Sequence, residues 1–172
     1  MTRKLLTGNC FAVAYFCLKQ LGKGTLSLMI LMAFTWGSLV QAQTPVAANG
    51  KLGVSGTNLV NEAGEPVQLR GMSSHGLNWF TELYNFHSMN TLANDWGIDV
   101  FRIAMYPTEQ PDATVGGYEG NPEFWRQYID DLVDLCGQFG VYAIIDWHIL
   151  TPGDPTHPDY YQMAREFWDY MS

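Results

Sequence analysis

Three short stretches concentrate reactive and hydrogen-bonding side chains, and each lies where an apolar run meets polar sequence. Ser73-Ser74-His75-Gly76-Leu77-Asn78-Trp79-Phe80 follows one run, Arg102 stands inside a second (Phe101-Arg102-Ile103-Ala104-Met105-Tyr106), and Asp146-Trp147-His148 closes a third. In α/β barrels the reactive groups gather where strands finish and loops begin. Two histidines, an arginine, an acid and several aromatic rings would then share one rim. Rings beside hydrogen-bonding groups suit a sugar, which has apolar C–H faces and an equator of hydroxyls. Trp79 and Tyr106 are the aromatics best placed to touch a ligand. Trp96 and Trp125 fall on helical stretches and read as packing.

Each of these residues also has a purely structural reading. Arg102 is flanked by large apolar residues within a strand, where an isolated buried ion costs several kcal/mol and must be paired. Either it meets Asp146 or another local acid, or its partner lies beyond Ser172. His75 or His148 alone could be a satisfied core histidine; their joint placement at two strand ends favours a shared role. Asp146 reads as a cap for the following loop. A metal site is the other option, because Asp146-x-His148 can point two ligands the same way from a strand, with His75 as a third. Metal-dependent hydrolase barrels usually open with two histidines one residue apart on the first strand, and Ser73-Ser74-His75 supplies one. No metal or other cofactor is expected.

The elements that must position these groups alternate between strand and helix. Leu52 to Val60 and Pro66 to Leu69 flank the polar turn Asn61-Glu62-Ala63-Gly64-Glu65, a hairpin pattern. Ser88 to Trp96 carries apolar residues at helical spacing, with Ser88 as the candidate cap and Gly97 as the stop. Ile98 to Tyr106 is of strand length. After a polar loop holding Pro107, Pro111, Gly116 and Gly117, Asn121-Pro122 opens a helix. Its apolar face is read as Phe124, Tyr128, Leu132, Leu135, Cys136 and Phe139, and Gly140 ends it. Val141 to Asp146 is again a strand, and after a Pro-rich loop Tyr160 to Met171 is helical. Strands apolar on both faces, each followed by a helix, indicate a parallel sheet covered by helices.

The chain has 172 residues, 47% hydrophobic, 14% aromatic and 15% charged, with a formal net charge of -8. This composition excludes a disordered or collagen-like chain, and the acidity argues against a nucleic-acid partner. Charge is unevenly spread. Residues 1–42 hold Arg3, Lys4, Lys19 and Lys23 and no acid, whereas 43–172 set the other five basic residues against all 17 acids. A basic head followed by the apolar run Leu26 to Trp36 reads as a secretory signal cut after Ala42. The run is too short for a membrane span, which needs about 20 apolar residues. Gln43 to Asn49 follows as a linker. Cys10 and Cys17 leave with the leader, so Cys136 alone remains and reads as a small core residue.

Three segments together carry a family resemblance: LVNEAGEPVQLRGMSSHGLNWF (59–80), DWGIDVFRIAMY (95–106) and GVYAIIDWHIL (140–150). From Leu52 to Leu150 the chain resembles the N-terminal part of a glycoside hydrolase family 5 enzyme, close to secreted bacterial endo-β-1,4-glucanases. The resemblance implies a TIM barrel that begins with a bottom-closing hairpin. A whole barrel needs roughly 250 residues, so 50–172 is expected to be an incomplete one of about three βα units. It further implies retaining hydrolysis by two glutamates about 5 Å apart, one in an Asn-Glu-Pro motif after the fourth strand and one after the seventh. The sequence holds no Asn-Glu-Pro; Asn121-Pro122-Glu123 has the letters in another order and opens a helix. Both glutamates are therefore expected beyond this chain, which should be inactive alone.

What the resemblance carries over is the substrate-binding shell. His75, Trp79 and Phe80 match sugar-contacting positions of the first strand, and Phe80 replaces a residue that is often Tyr. Tyr106 and His148 match positions lining the cleft. Arg102 matches an arginine beside the nucleophile, which would leave its acidic partner outside this chain. A monomer acting on a β-glucan is expected. A non-catalytic carbohydrate-binding protein and a metal-dependent hydrolase barrel are the alternatives from other classes, and mannan or xyloglucan are alternative substrates.

Overall fold

The computed structural model describes residues 43–108, 115–150, 154 and 156–172. The secretory signal expected over 1–42 lies outside the described residues, as do Pro111, Pro152, Gly153 and Pro155 of the two polar loops. Residues 43–49, read as a linker, hold one helical turn, α1 (Pro45–Asn49), capped by the Thr44 hydroxyl. The turn is tied down by backbone bonds from Val46 N to Gly140 O and from Glu62 N to Asn49 O.

The hairpin forms, but one turn earlier than the sequence suggested. Strands β1 (Gly53–Ser55) and β2 (Asn58–Val60) pair antiparallel across Gly56-Thr57. The expected turn at Asn61–Glu65 also closes, through Asn61 N to Glu65 O, yet the run after it contributes only a single bridge, Val60 to Pro66. Gly56 adopts φ 60° in this tight turn, a conformation that suits glycine.

Strands β3 (Gly71–Ser73), β4 (Val100–Met105) and β5 (Tyr142–Trp147) form a parallel sheet in chain order, with β4 central. Parallel neighbours need a crossover. The first is α2 (Phe86–Asn90), which continues as a π-helical turn over Thr91–Asp95. Its cap is Asn85 and not Ser88. The Asn85 side chain accepts from Ser88 N while the Ser88 hydroxyl accepts from Asn85 N, a reciprocal capping box. The second crossover is α3 (Pro122–Phe139), capped by Asn121 and ended by Gly140 at φ 63°. Helix α4 (Pro158–Met171) follows β5.

The core lies between the sheet and these helices. Phe101, Ile103 and Met105 alternate along β4 and are all buried against the helical layer. On α3 the buried residues are Trp125, Ile129, Leu132 and Cys136. The buried face is thus rotated about one position from the one read in the sequence: Phe124 is exposed, and Tyr128, Leu135 and Phe139 are only partly covered. Trp147, Tyr118 and Phe167 meet ring to ring, with centroids 4.7 to 5.4 Å apart, and fasten α4 to β5. At the opposite end of the sheet the Tyr142 hydroxyl donates to Gly50 O at 2.5 Å, so the N-terminal segment covers that end. Among the described residues no helix is long and apolar enough to cross a membrane.

Burial pushes the Cys136 thiol up to about 11. The thiol therefore stays neutral and inaccessible at mildly alkaline pH. A thiol-alkylating reagent should leave Cys136 unmodified in the folded protein and modify it after denaturation. Rapid labelling at Cys136 in the native state, read by peptide mapping, would contradict this packing.

Candidate functional site

Register places the charged groups. Ser73 of β3 lies opposite Arg102 of β4, and Asp146 of β5 lies opposite Ala104, two positions beyond Arg102. With a side-chain period of two, Ser73, Arg102 and Asp146 share the sheet face turned away from the helices. Arg102 Nη1 donates to Ser73 Oγ at 2.7 Å, and Nη2 donates to Asp146 Oδ2. His148 Nδ1 lies 3.1 Å from both Asp146 Oδ2 and Arg102 Nη2. Within the described residues the arginine is thus paired by Asp146, the local acid that the sequence offered. Asp146 is a member of the site and not the loop cap that its sequence position suggested.

The outward neighbour Trp147 explains the aim of this group. Its indole is packed between Tyr118 and Phe167, so the flanking Asp146 and His148 face the opposite side. The ladder continues one step past the strand, with His148 N donating to Met105 O at 2.9 Å. That bond holds the histidine backbone at the rim.

His75 reaches the rim by a different device. Ser74 N still donates to Arg102 O, but the next ladder acceptor is the buried Ser74 hydroxyl, which takes Ala104 N–H at 2.9 Å. The same hydroxyl donates to His75 O, and Leu77 N returns to Ala104 O. Residues 75 and 76 are thereby looped out of the ladder while the Ala104 N–H and C=O beside them both keep partners. The backbone N–H of His75 donates to the Tyr84 hydroxyl at 3.1 Å. Burial raises the Tyr84 phenol above its ordinary range, so it stays protonated there.

From this loop a row of rings crosses the rim. Phe80 meets His75 at 6.0 Å between centroids, His75 meets Trp79 at 5.2 Å, Trp79 meets Tyr106 at 4.8 Å, and Tyr106 meets His148 at 4.8 Å. All four contacts are edge-on or tilted, the arrangement ring quadrupoles prefer. Gly76 is required by close approach: a β-carbon there would lie 2.3 Å from the Trp79 ring and 2.7 Å from Tyr106. All six residues singled out in the sequence as substrate-binding or supporting, His75, Trp79, Phe80, Tyr106, Arg102 and His148, lie in this one cluster. Ser73, Ser74, Gly76 and Asp146 complete it. Trp125 is core and Trp96 is exposed on the helical side.

The metal alternative finds no support in the geometry. Among the described residues no three His, Cys, Asp or Glu side chains form a metal-holding group. Asp146 Oδ2 and His148 Nδ1, which would have led such a site, are engaged with Arg102 and with each other. What the rim offers is a wall of rings beside a hydrogen-bonding floor.

Parallel strands alternating with helices, with such a rim at the strand ends, are the architecture of one arc of a TIM barrel. Residues 60–172 match the model of the cellulase family, glycosyl hydrolase family 5, and the chain belongs to that family. It is 47% identical over 112 residues to endoglucanase E-5 of Thermobifida fusca, covering 65% of this chain and 23% of that protein. It is 39% identical over 154 residues to endoglucanase N of Pectobacterium atrosepticum, covering 90% and 32%. The crystal structure of the catalytic domain of Thermobifida fusca endoglucanase Cel5A superposes with a TM-score of 0.65 at 44% identity, covering 75% of this chain and 40% of that domain. A variant of that domain has been solved in complex with cellotetraose. The chain thus spans about a quarter to a third of its curated relatives, and its three-stranded sheet is an arc of the barrel rather than a closed one.

The Ser74 hydroxyl has a measurable role. Ser74→Ala leaves the buried Ala104 N–H without its acceptor, a loss of about 1–3 kcal/mol. Urea unfolding should show that loss, with Ser74→Thr recovering part of it. An unchanged midpoint for the alanine variant would mean that the hydroxyl does not carry the ladder.

Proposed function

We propose that the full-length protein bearing this segment is an endo-β-1,4-glucanase that cleaves cellulose or a related β-glucan with retention at the anomeric carbon. The continuous ring row from Phe80 to His148, beside the paired Arg102, carries this reading, because a glucan chain presents alternating apolar faces and hydroxyl edges to such a surface. Trp79 and Tyr106 stack or edge against glucosyl rings. His75 and His148 bond hydroxyls, and Phe80 contributes apolar contact without a hydroxyl of its own. Arg102 holds a fixed positive charge beside the reacting carbon.

Retaining hydrolysis takes two carboxyl groups about 5 Å apart. One protonates the leaving glycosidic oxygen, and the other attacks the anomeric carbon to form a glycosyl-enzyme that water then opens. Of the rim residues named here Asp146 alone is a carboxylate, and it is held by Arg102 and His148. Both reacting glutamates therefore belong to later barrel units, and the present segment supplies grip. The family's longer relatives are named endoglucanases, which supports the assignment. The acid-free basic head and the apolar run Leu26 to Trp36 support export, with removal of residues 1–42. The net acidity of 43–172 fits a monomer that does not bind nucleic acid.

Two assays test the reading. The full-length protein should hydrolyse a soluble cellulose derivative, and NMR of early products should show the new reducing end first as the β-anomer. No turnover, or the α-anomer first, would overturn it. Residues 43–172 alone should give no turnover. Hydrolysis by this segment at a normal rate would place a reacting pair within it, against the assignment above.

A further inference from the structure

The contact triangle of Arg102, Asp146 and His148 contains more information than an ion pair. Nη2 of Arg102, Oδ2 of Asp146 and Nδ1 of His148 are each within hydrogen-bonding distance of the other two. One proton placement satisfies this triangle. The two N–H bonds of Nη2 diverge by about 120° in the planar guanidinium, so when one points at Oδ2 the other cannot point well at Nδ1. The remaining contact, Nδ1 to Oδ2, involves a carboxylate that can only accept. It is a bond only when Nδ1 carries the proton. Oδ2 then accepts from both neighbours, one through each lone pair.

From this geometry we infer that Asp146 is a positioning residue that holds the proton of His148 on Nδ1, so that in the neutral ring Nε2 is the bare acceptor. No bond to Nε2 occurs among the described residues. The ring is about one-third exposed and braced by Tyr106, so Nε2 is available to a ligand. In combination with the glucan-binding reading above, on which this part rests, Nε2 accepts a hydrogen bond from a sugar hydroxyl. Asp146 would then set the direction of a substrate bond without touching the substrate. The neutral alternative, Nε2–H, would turn an acceptor into a donor at the same place. Orientation of a histidine by the partner of its other nitrogen is a general device.

Nitrogen NMR of histidine-labelled protein reads the proton position directly. The His148 signals can be assigned by their loss in His148→Gln. In the unsubstituted chain, Nδ1 should appear protonated and Nε2 unprotonated. Asp146→Ala removes the acceptor and leaves Arg102 to donate to Nδ1, so the proton should move to Nε2. Asp146→Asn keeps the shape and should shift the balance part of the way, which preserves the test if the alanine variant does not fold. Ser73→Ala removes the other partner of Arg102 and should leave the Nδ1–H pattern intact. A protonated Nε2 in the unsubstituted chain would overturn the inference, as would equal responses to the Asp146 and Ser73 substitutions. Adding cellotetraose separates the two layers: an expected tautomer with no response at Nε2 would sink the sugar contact and leave the role of Asp146 standing.

Discussion

The Arg102 guanidinium, projecting from the central strand on the face away from the helices, is the charge around which the rim is organised. Arg102 is always charged, and it stands on the central strand of three. Its two terminal nitrogens reach one partner on each side, Ser73 on β3 and Asp146 on β5. The charge thereby links all three strands across the face that carries the site. The group is half-buried. Solvent therefore weakens the pair, and its value lies more in geometry than in bulk stability.

Alternation along the same strands builds the core and the site together. Phe101, Ile103 and Met105 face the helices while Arg102 and Ala104 face away. Trp147 is locked outward by Tyr118 and Phe167, and this leaves Asp146 and His148 no choice of side. A slip of one residue in β5 would bury Asp146 and expose Trp147. The packing of α4 and the aim of His148 are consequently one structural decision. On β3 the corresponding step is made by Ser74, whose hydroxyl replaces a backbone acceptor and releases His75 to the rim.

Much of this was readable in the sequence where a pattern is local. Asn121-Pro122 and Gly140 bound α3 as cap, first turn and left-handed stop. The apolar runs over 98–106 and 141–146 are strands, and the chemistry-bearing residues at their ends do meet. Other features depend on contacts that no local pattern shows. The hairpin turned at Gly56-Thr57, while the Asn61–Glu65 turn also closed but led into a single bridge rather than a second paired strand. Asn85 took the cap from Ser88 through a reciprocal bond, and both residues are good caps by type. The buried face of α3 centred on Trp125 and Ile129 because Tyr118 and the sheet lie on that side. Asp146 read as a cap because its partner is 44 residues away. Ser74 looked like any loop serine until its place in the ladder was visible.

On the proposed function, the row of rings from Phe80 to His148 and the floor beneath it form a surface on which a β-glucan lies. A crystal structure of the full-length protein soaked with cellotetraose measures this most directly. A glucosyl ring should rest in van der Waals contact with Trp79 or Tyr106, with one of its hydroxyls on His148. An oligosaccharide bound in clear density elsewhere, with this rim left vacant, would contradict the account.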